Sequence, residues 1–479
     1  MPLDDAIEGD VMKALLARQK AAQTLEGAPS AAVRIDRIDR AIDLLVRHRS
    51  ELDEAVSSDF GHRSKDVTAF ADTATSIGQL KFAKKHLRRW MRPERRGTEF
   101  PLGFLGAAVR IERQPKGVVG IIAPWNFPIG MAFGPLAGVL AAGNRAMIKP
   151  SEFTEATSAL IASMVQEAFD ESELAVVTGG PDVGAAFSKL PFDHIIFTGS
   201  TSVGKHVMRA AADHLVPVTL ELGGKSPAIL GRSADFEKAA ARIMHGKVLN
   251  AGQICLAPDY AIAPAEKIDE FVGYAKSAVA TMFPEGLKDS DDYTSIINRR
   301  HFDRLQGYLD DARAKGADVV EINPKGEDFT QQPHFRMPPT LVLNPTDEMT
   351  VMQDEIFGPV LPVKTYRDLD DAVDYVNDRD RPLALYYFGD DRQECRRVVS
   401  STNSGGVTVN DVIFHIAQED LPFGGVGASG MGAYHGRDGF DAVSHKKSVY
   451  EQTRSELIRM LRPPYGDLFR SQINGRIKK

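Results

Sequence analysis

The chain predicts an α/β protein: a parallel sheet covered by helices on both faces, a second and looser α/β unit, and a small extended arm. Three observations predict it. Short apolar runs such as GVVGIIAP, RAMIKPS and HIIFTGS alternate with helical stretches. Runs of this kind, apolar on both sides, belong to buried parallel strands. The alternation resumes in a second region, and 479 residues exceed what one core usually holds.

Each element can be read in order. Up to about residue 92 the chain reads as helices; IDRIDRAIDLLVRHRSELDEAV places apolar side chains at helical spacing with charges opposite. The stretch GTEFPLGFLGAAVRIERQPKG, residues 97–117, breaks that pattern and predicts a hairpin or extended arm. The regular alternation then runs GVVGIIAP strand, MAFGPLAGVLAAG helix, RAMIKPS strand and TEATSALIASMVQEAF helix, with Ser151 or Thr154 as cap. LAVVTGG, the short helix PDVGAAFSKL, HIIFTGS, the helix SVGKHVMRAAADHL and VPVTLELGG complete it. The second unit reads as helix 235–249, strand DYAIAP, helices near 266–283 and 299–315, strand PTLVLNP, helix LDDAVDYVNDR and strands LALYYFG and GGVTVND. Beyond about residue 412 the chain is glycine-rich, then basic, then mixed.

Composition excludes several classes. Hydrophobic residues make up 43% and charged residues 26%, a globular balance. The net charge of -7 carries no basic stripe, which argues against a nucleic-acid binder. The two cysteines, Cys255 and Cys395, form no disulfide framework and no zinc spacing, so no metal is expected and a cytoplasmic, reducing location is. No signal peptide is visible in MPLDDAIEGD. The uncharged stretch 117–144 is long enough for a membrane span, but Pro124, Pro128 and Pro135 predict strand, loop and buried helix instead.

Several stretches could carry chemistry, and each also has an ordinary reading. GVGASG, residues 425–430, matches a dinucleotide fingerprint but no strand leads into it. GSTSVG, with Gly199, Ser200 and Gly204, lacks the middle glycine, yet it follows a strand and opens a helix whose first N–H groups could hold a phosphate. IKPSE offers Lys149 and Glu152 at a strand end, where a carboxylate can accept from a ribose; a capping pattern is the alternative. APWNFP brackets Trp125, Asn126 and Phe127 between prolines; the amide could donate to an oxyanion or simply form a turn. Glu221 in LELGGKSP lies in an apolar strand end, where burial raises a carboxylate pKa toward that of a general base. Cys255 in NAGQICLAPDY is as compatible with core packing as with catalysis, because a free thiol near pKa 8.5 needs help to ionise.

In this order APWNFP, IKPSE, FTGSTSVG, LELGGKSP, GQICLAPDY, QDEIFGPV and LPFGGVGASGMGAYHG resemble the aldehyde dehydrogenase superfamily over nearly the whole chain. CLAPDY and GMGAYHG look most like its class 3 branch, and the arm around RRWMRPERRGTEFPLGFLGA is similar to the bacterial coniferyl aldehyde dehydrogenases within that branch. The resemblance implies a Rossmann-type NAD(P)-binding domain over 1–92 and 114–222, a catalytic domain over 223–412, and oligomerisation or bridging elements over 93–113 and 413–479. It implies Cys255 as nucleophile, Asn126 with the Cys255 N–H as oxyanion hole, and Glu221 as general base. Lys149 and Glu152 would hold the adenosine ribose and Ser200 with its helix start, flanked by Gly199 and Gly204, would face the pyrophosphate. Trp125 and Leu222 would line the cofactor cleft, and Glu355 and Phe357 would place the nicotinamide ribose and ring.

A thiolate suits this chemistry because it adds to an aldehyde, stays through hydride departure, and leaves from the resulting thioester. The expected substrate is an aromatic aldehyde such as coniferyl aldehyde, or a medium-chain aliphatic one, in a pocket containing Phe127, Ile254, Phe414 and His415. Glu152 should repel a 2′-phosphate and favour NAD, with NADP tolerated. A homodimer without membrane anchor or nucleic acid is expected. A CoA-acylating dehydrogenase, a cysteine hydrolase and a non-catalytic binding protein are the alternatives; Glu221 argues against the first, the hydrolase needs a catalytic histidine, and Cys255, Glu221 and Asn126 argue against the last.

Overall fold

A computed structural model describes residues 2–100, 102–454 and 456–477. Of the predicted arm and C-terminal segment, Pro101, Ser455, Lys478 and Lys479 lie outside the described residues, as does Met1. Among the described residues the strands form three sheets.

The first sheet contains Val118–Ile122, Arg145–Lys149, Leu174–Val176, His194–Thr198 and Val218–Glu221, all parallel. The chain starts in the middle, builds outward to 174–176, then returns to the other side of 118–122 to lay down 194–198 and 218–221. Strand order therefore reverses beside 118–122, and the carboxyl ends of 118–122 and 194–198 are where a sheet of this topology takes a ligand. The uncharged stretch resolves into strand 118–122 and the buried helix Pro128–Ala142, which Pro128 starts and Gly143, at φ 83°, ends. No helix among the described residues is long and apolar enough to cross a membrane.

The second sheet runs in the order 318–321, 340–343, 360–366, 260–264, 227–230, 384–388, 406–409, parallel except at its first strand. Pro227–Leu230, Val360–Tyr366 and helix Arg392–Ser401 are absent from the sequence-based reading. Pro227 masks the start of one strand, and Pro362 and Lys364 break the apolar run of the other. The third sheet bears out the hairpin: Glu94–Arg96 pairs antiparallel with Ala108–Pro115. Its third strand, Ser444–Glu451, was hidden in the mixed tail because its charged residues are solvent-facing.

The glycine-rich segment 425–430 is a clamp. Gly430 and Met431 add an antiparallel strand to the first sheet, Gly430 opposite Glu221 and Met431 opposite Leu220. Leu222 N–H donates to the Ser429 carbonyl at 3.0 Å. Glycine is required at 430, where φ is 140° and a Cβ would meet the Leu220 carbonyl at 2.0 Å. The apparent fingerprint thus ties the chain's late segment to the strand that carries Glu221.

Candidate active site

Cys255 follows a turn of unusual backbone. Asn250, Ala251 and Gly252 all adopt left-handed φ, at 49°, 50° and 70°. Asn and Gly tolerate this region and Ala does not, so the turn is held from outside. Gln253 does the holding: its Nε2 donates to the Asn250 carbonyl at 2.9 Å and the Ser295 carbonyl at 3.0 Å, and its Oε1 accepts from Ile297 N–H at 2.9 Å. The Cys255 thiol is free and half-buried. Burial, reinforced by the charges of Glu355 and Glu221, pushes it up to about 12, while the N–H groups of Cys255 and Leu256 favour the thiolate.

Asn126 is buried beside this turn. Its Nδ2 donates to the Gln253 carbonyl at 3.1 Å. A carbonyl only accepts, so this contact fixes which end of the amide bears nitrogen and leaves its second N–H for another acceptor. The Asn126 carbonyl accepts from Arg63 Nη1 at 2.8 Å and from Asn250 Nδ2 at 3.1 Å. The loop bearing the amide and the loop bearing the thiol are therefore one hydrogen-bonded unit.

Glu221 ends its strand 2% exposed, and neither carboxylate oxygen has a hydrogen-bond partner. Burial alone raises its pKa well above the usual carboxylate value. An unpaired buried carboxylate whose charge reaches the Cys255 thiol can serve, once ionised, to take a proton from an incoming group.

The predicted cofactor residues Trp125, Lys149, Glu152, Gly199, Ser200 and Leu222 stand at or just past the carboxyl ends of strands of the first sheet. Lys149, buried at its strand end, pairs with Glu152 at 3.1 Å, and the Glu152 carboxylate remains about one-third exposed. Gly199 N–H donates to the Glu221 carbonyl at 3.0 Å, joining the FTGS and LELGG ends. A Cβ at Gly204 would meet Leu222 Cδ2 at 2.6 Å, so the helix Thr201–Ala212 packs tightly onto that end. The Ser200 hydroxyl caps this helix by accepting from Val203 N–H at 3.4 Å, which uses a lone pair and leaves its own O–H to donate, to Ser202 Oγ at 3.1 Å or to an anion beside the remaining first-turn N–H groups. Glu355 lies over Gly223, whose Cβ would come within 1.8 Å of Glu355 Oε2, and burial with Asp259 nearby holds its carboxyl at about 8. Phe357, at φ 48°, packs edge-on to Trp125 with ring centroids 5.3 Å apart. A carboxylate beside a lysine, the N–H groups of a helix start just after Gly199, and a carboxyl cradled on glycine form a donor and acceptor set that fits a dinucleotide.

The pocket candidates divide. Phe127 and Ile254 are buried beside the amide and thiol loops. Phe414 is 53% exposed on the turn beyond strand 406–409. His415 bonds Thr408 Oγ1 through Nδ1 at 2.8 Å, leaves Nε2 buried without a partner, and is held by burial at about 4.

Sequence reasoning missed the supports. Arg304 donates to the carbonyl of Ile356 at 2.7 Å, and Asp259 accepts from Ile356 N–H at 2.9 Å, fixing the Glu355 loop. Arg63 and Asp72, far upstream, grip the Asn126 loop. For Asp72 the available signal was a charge inside the apolar stretch AFADTA, which is rare without a partner; Arg63 and Asp259 lie in loops and gave no such signal.

Comparison with known proteins agrees with this geometry. A profile of the Aldehyde dehydrogenase family matches residues 3–449. A Caulobacter vibrioides protein named probable coniferyl aldehyde dehydrogenase is 61% identical over 98% of this chain and 97% of its own. The coniferyl aldehyde dehydrogenase of a Pseudomonas species is 54% identical over 94% and 93%. The solved substrate-bound state of Staphylococcus aureus AldH, 35% identical, superposes with TM-score 0.91 over 98% of this chain and 99% of that one.

Proposed function

This chain belongs to the aldehyde dehydrogenase family and is an NAD(P)-dependent aldehyde oxidoreductase; from that premise we propose that it oxidises a coniferyl-type aromatic aldehyde to the acid through a Cys255 thioester. The observation that carries this reading is a free thiol two residues from the carbonyl that holds the Asn126 amide, within electrostatic reach of a buried carboxylate with two unpartnered oxygens.

The Cys255 thiol first gives up its proton to water, and the resulting thiolate adds to the carbonyl carbon. The oxygen takes the electron pair, and the second Asn126 N–H with the Cys255 N–H holds the resulting oxyanion. Removing one such donor costs about 10²–10³ in rate. A bound NAD(P) supplies the acceptor for the hydride. Glu221 then takes a proton from water, the hydroxide adds to the thioester, and the thiolate departs with the carboxylic acid released. General-base catalysis of this kind contributes about 10²–10⁴. Burial of Cys255 and Glu221 keeps both largely protonated until a ligand changes their surroundings, which guards the thiol against stray electrophiles.

Lys149 and Glu152 would hold the adenosine ribose, the helix start after Ser200 the pyrophosphate, and Glu355 with Phe357 the nicotinamide ribose and ring. The Glu152 carboxylate supports NAD over NADP. The names of the relatives favour coniferyl aldehyde over a medium-chain aldehyde, and the apolar Phe127 and Ile254 suit an aromatic ring. A homodimer is supported by the third sheet, where strand Ser444–Glu451 pairs on one side only among the described residues. Free cysteines fit the cytoplasm.

The test is a panel of aromatic and aliphatic aldehydes followed by NAD(P)H absorbance, with Cys255→Ser as control. Coniferyl aldehyde should give the highest kcat/KM. Aldehyde-dependent reduction at wild-type rate in the serine variant would remove Cys255 from the reaction, and faster turnover of an aliphatic aldehyde would reassign the substrate.

A further inference from the structure

We propose that Arg63 and Asp72 are positioning residues that set the Asn126 amide for the oxyanion; the inference rests on the reading of Asn126 as donor. Both side chains are 0% exposed. They approach only to 3.5 Å, and Arg63 Nε, Arg63 Nη2 and Asp72 Oδ2 have no hydrogen-bond partner. A pair selected for stability alone would be expected to satisfy those atoms, since burial of ions is costly and an apolar replacement is often neutral or better.

What the pair does satisfy is the backbone of one turn. Arg63 Nη1 donates to the Asn126 carbonyl at 2.8 Å. Asp72 Oδ1 accepts from Gly130 N–H, and Ile129 N–H also favours the carboxylate. The two charges thus hold opposite ends of the segment 126–130, which has Asn126 at its first position. Gly130 makes the grip feasible, because a Cβ there would lie 3.0 Å from Asp72 Oδ1. The Arg63 guanidinium also covers the Phe127 ring at 4.8 Å. Asp72 reaches inward from a π-helical stretch, Ala69–Ala74, inserted between two α-helices. Such stretches shift side-chain register and recur at functional sites. The Asn126 amide itself makes one hydrogen bond, to the Gln253 carbonyl; the rest of its placement comes from its backbone, and the ion pair governs that backbone.

The experiment compares Arg63→Met/Asp72→Leu with Asn126→Ala and with the triple variant. Removing both charges leaves neither ion alone, so the fold should hold with Tm at or above wild type. The expected result is a kcat lowered about 10- to 100-fold, the range a misplacement near 1 Å produces, with aldehyde KM and NAD Kd within about twofold. Asn126→Ala should lose about 10²–10³, and adding the two other changes should then cost nothing further, because residues acting through one group are not additive. Wild-type kcat in the double variant, or full additivity in the triple one, overturns the positioning role while leaving the Asn126 reading intact. Wild-type kcat in Asn126→Ala instead overturns that reading and the inference with it. Should the double variant fail to fold, Arg63→Lys replaces it: a single ammonium cannot donate to the Asn126 carbonyl and face Asp72 with the spread of a guanidinium, so kcat should fall at least about fivefold, and an unchanged kcat overturns the proposal.

Discussion

Glu221→Gln should make the protein more stable and much less active, with the stability gain growing as pH rises. The carboxyl is 2% exposed with both oxygens unpartnered, and burial raises its pKa well above 4.5. The folded state therefore binds this proton more tightly than the unfolded chain does. The sign follows: the favourable contribution is fully present below about pH 4.5 and is lost as pH climbs through the folded pKa. Over that window wild type loses up to about 1.4 kcal/mol per pH unit relative to a neutral isostere. For domains of ordinary size this is roughly 3–5 °C in Tm per pH unit. Calorimetry of both proteins from pH 5 to pH 8 reads the gap directly, and differences between them cancel the titration of every other group. Turnover should fall by about 10²–10⁴ as the thioester waits for water, while the first equivalent of NADH still appears. A Tm gap that is flat with pH, or that favours wild type at pH 8, would refute the claim of an unpaired buried acid.

Three further outcomes follow from the same geometry. Alkylation of the ligand-free thiol by iodoacetamide should be slow at neutral pH and rise about tenfold per unit through pH 10, since the Cys255 pKa stands near 12; a plateau below pH 9, read by mass spectrometry, contradicts it. Gly223→Ala should weaken NAD binding at least about tenfold, or about 1.4 kcal/mol, because the added methyl displaces Glu355; calorimetric titration checks it. Gly430→Ala should cost about 1–3 kcal/mol and lower kcat together, since it forces the clamp off the Glu221 strand; denaturant melts and rates measured on one preparation test whether the two losses coincide.

Motifs at strand ends were legible because their information is local. The apolar run before APWNFP and the helix after FTGS mark their own context, and the fold places both at the reversal of strand order. Glu221 was legible for the same reason, its apolar neighbours predicting the burial found. What could not be read is long-range. Nothing near Arg63 says that its guanidinium reaches Asn126, and nothing in GVGASG says that it pairs with a strand laid down much earlier. Strand Ser444–Glu451 failed for a different reason: charged on its outer face and packed against an arm rather than a core, it has no hydrophobic alternation to betray it.

The Gly430–Met431 strand also governs timing. During synthesis the thiol and the amide emerge and can fold while the segment that seats the acid is still inside the ribosome. Until residues 430–431 are made, a nascent chain has no clamp on the strand that carries its acid, so release of the thioester, not its formation, awaits the late segment. Cleavage within that segment would likewise slow deacylation without altering the sulfur.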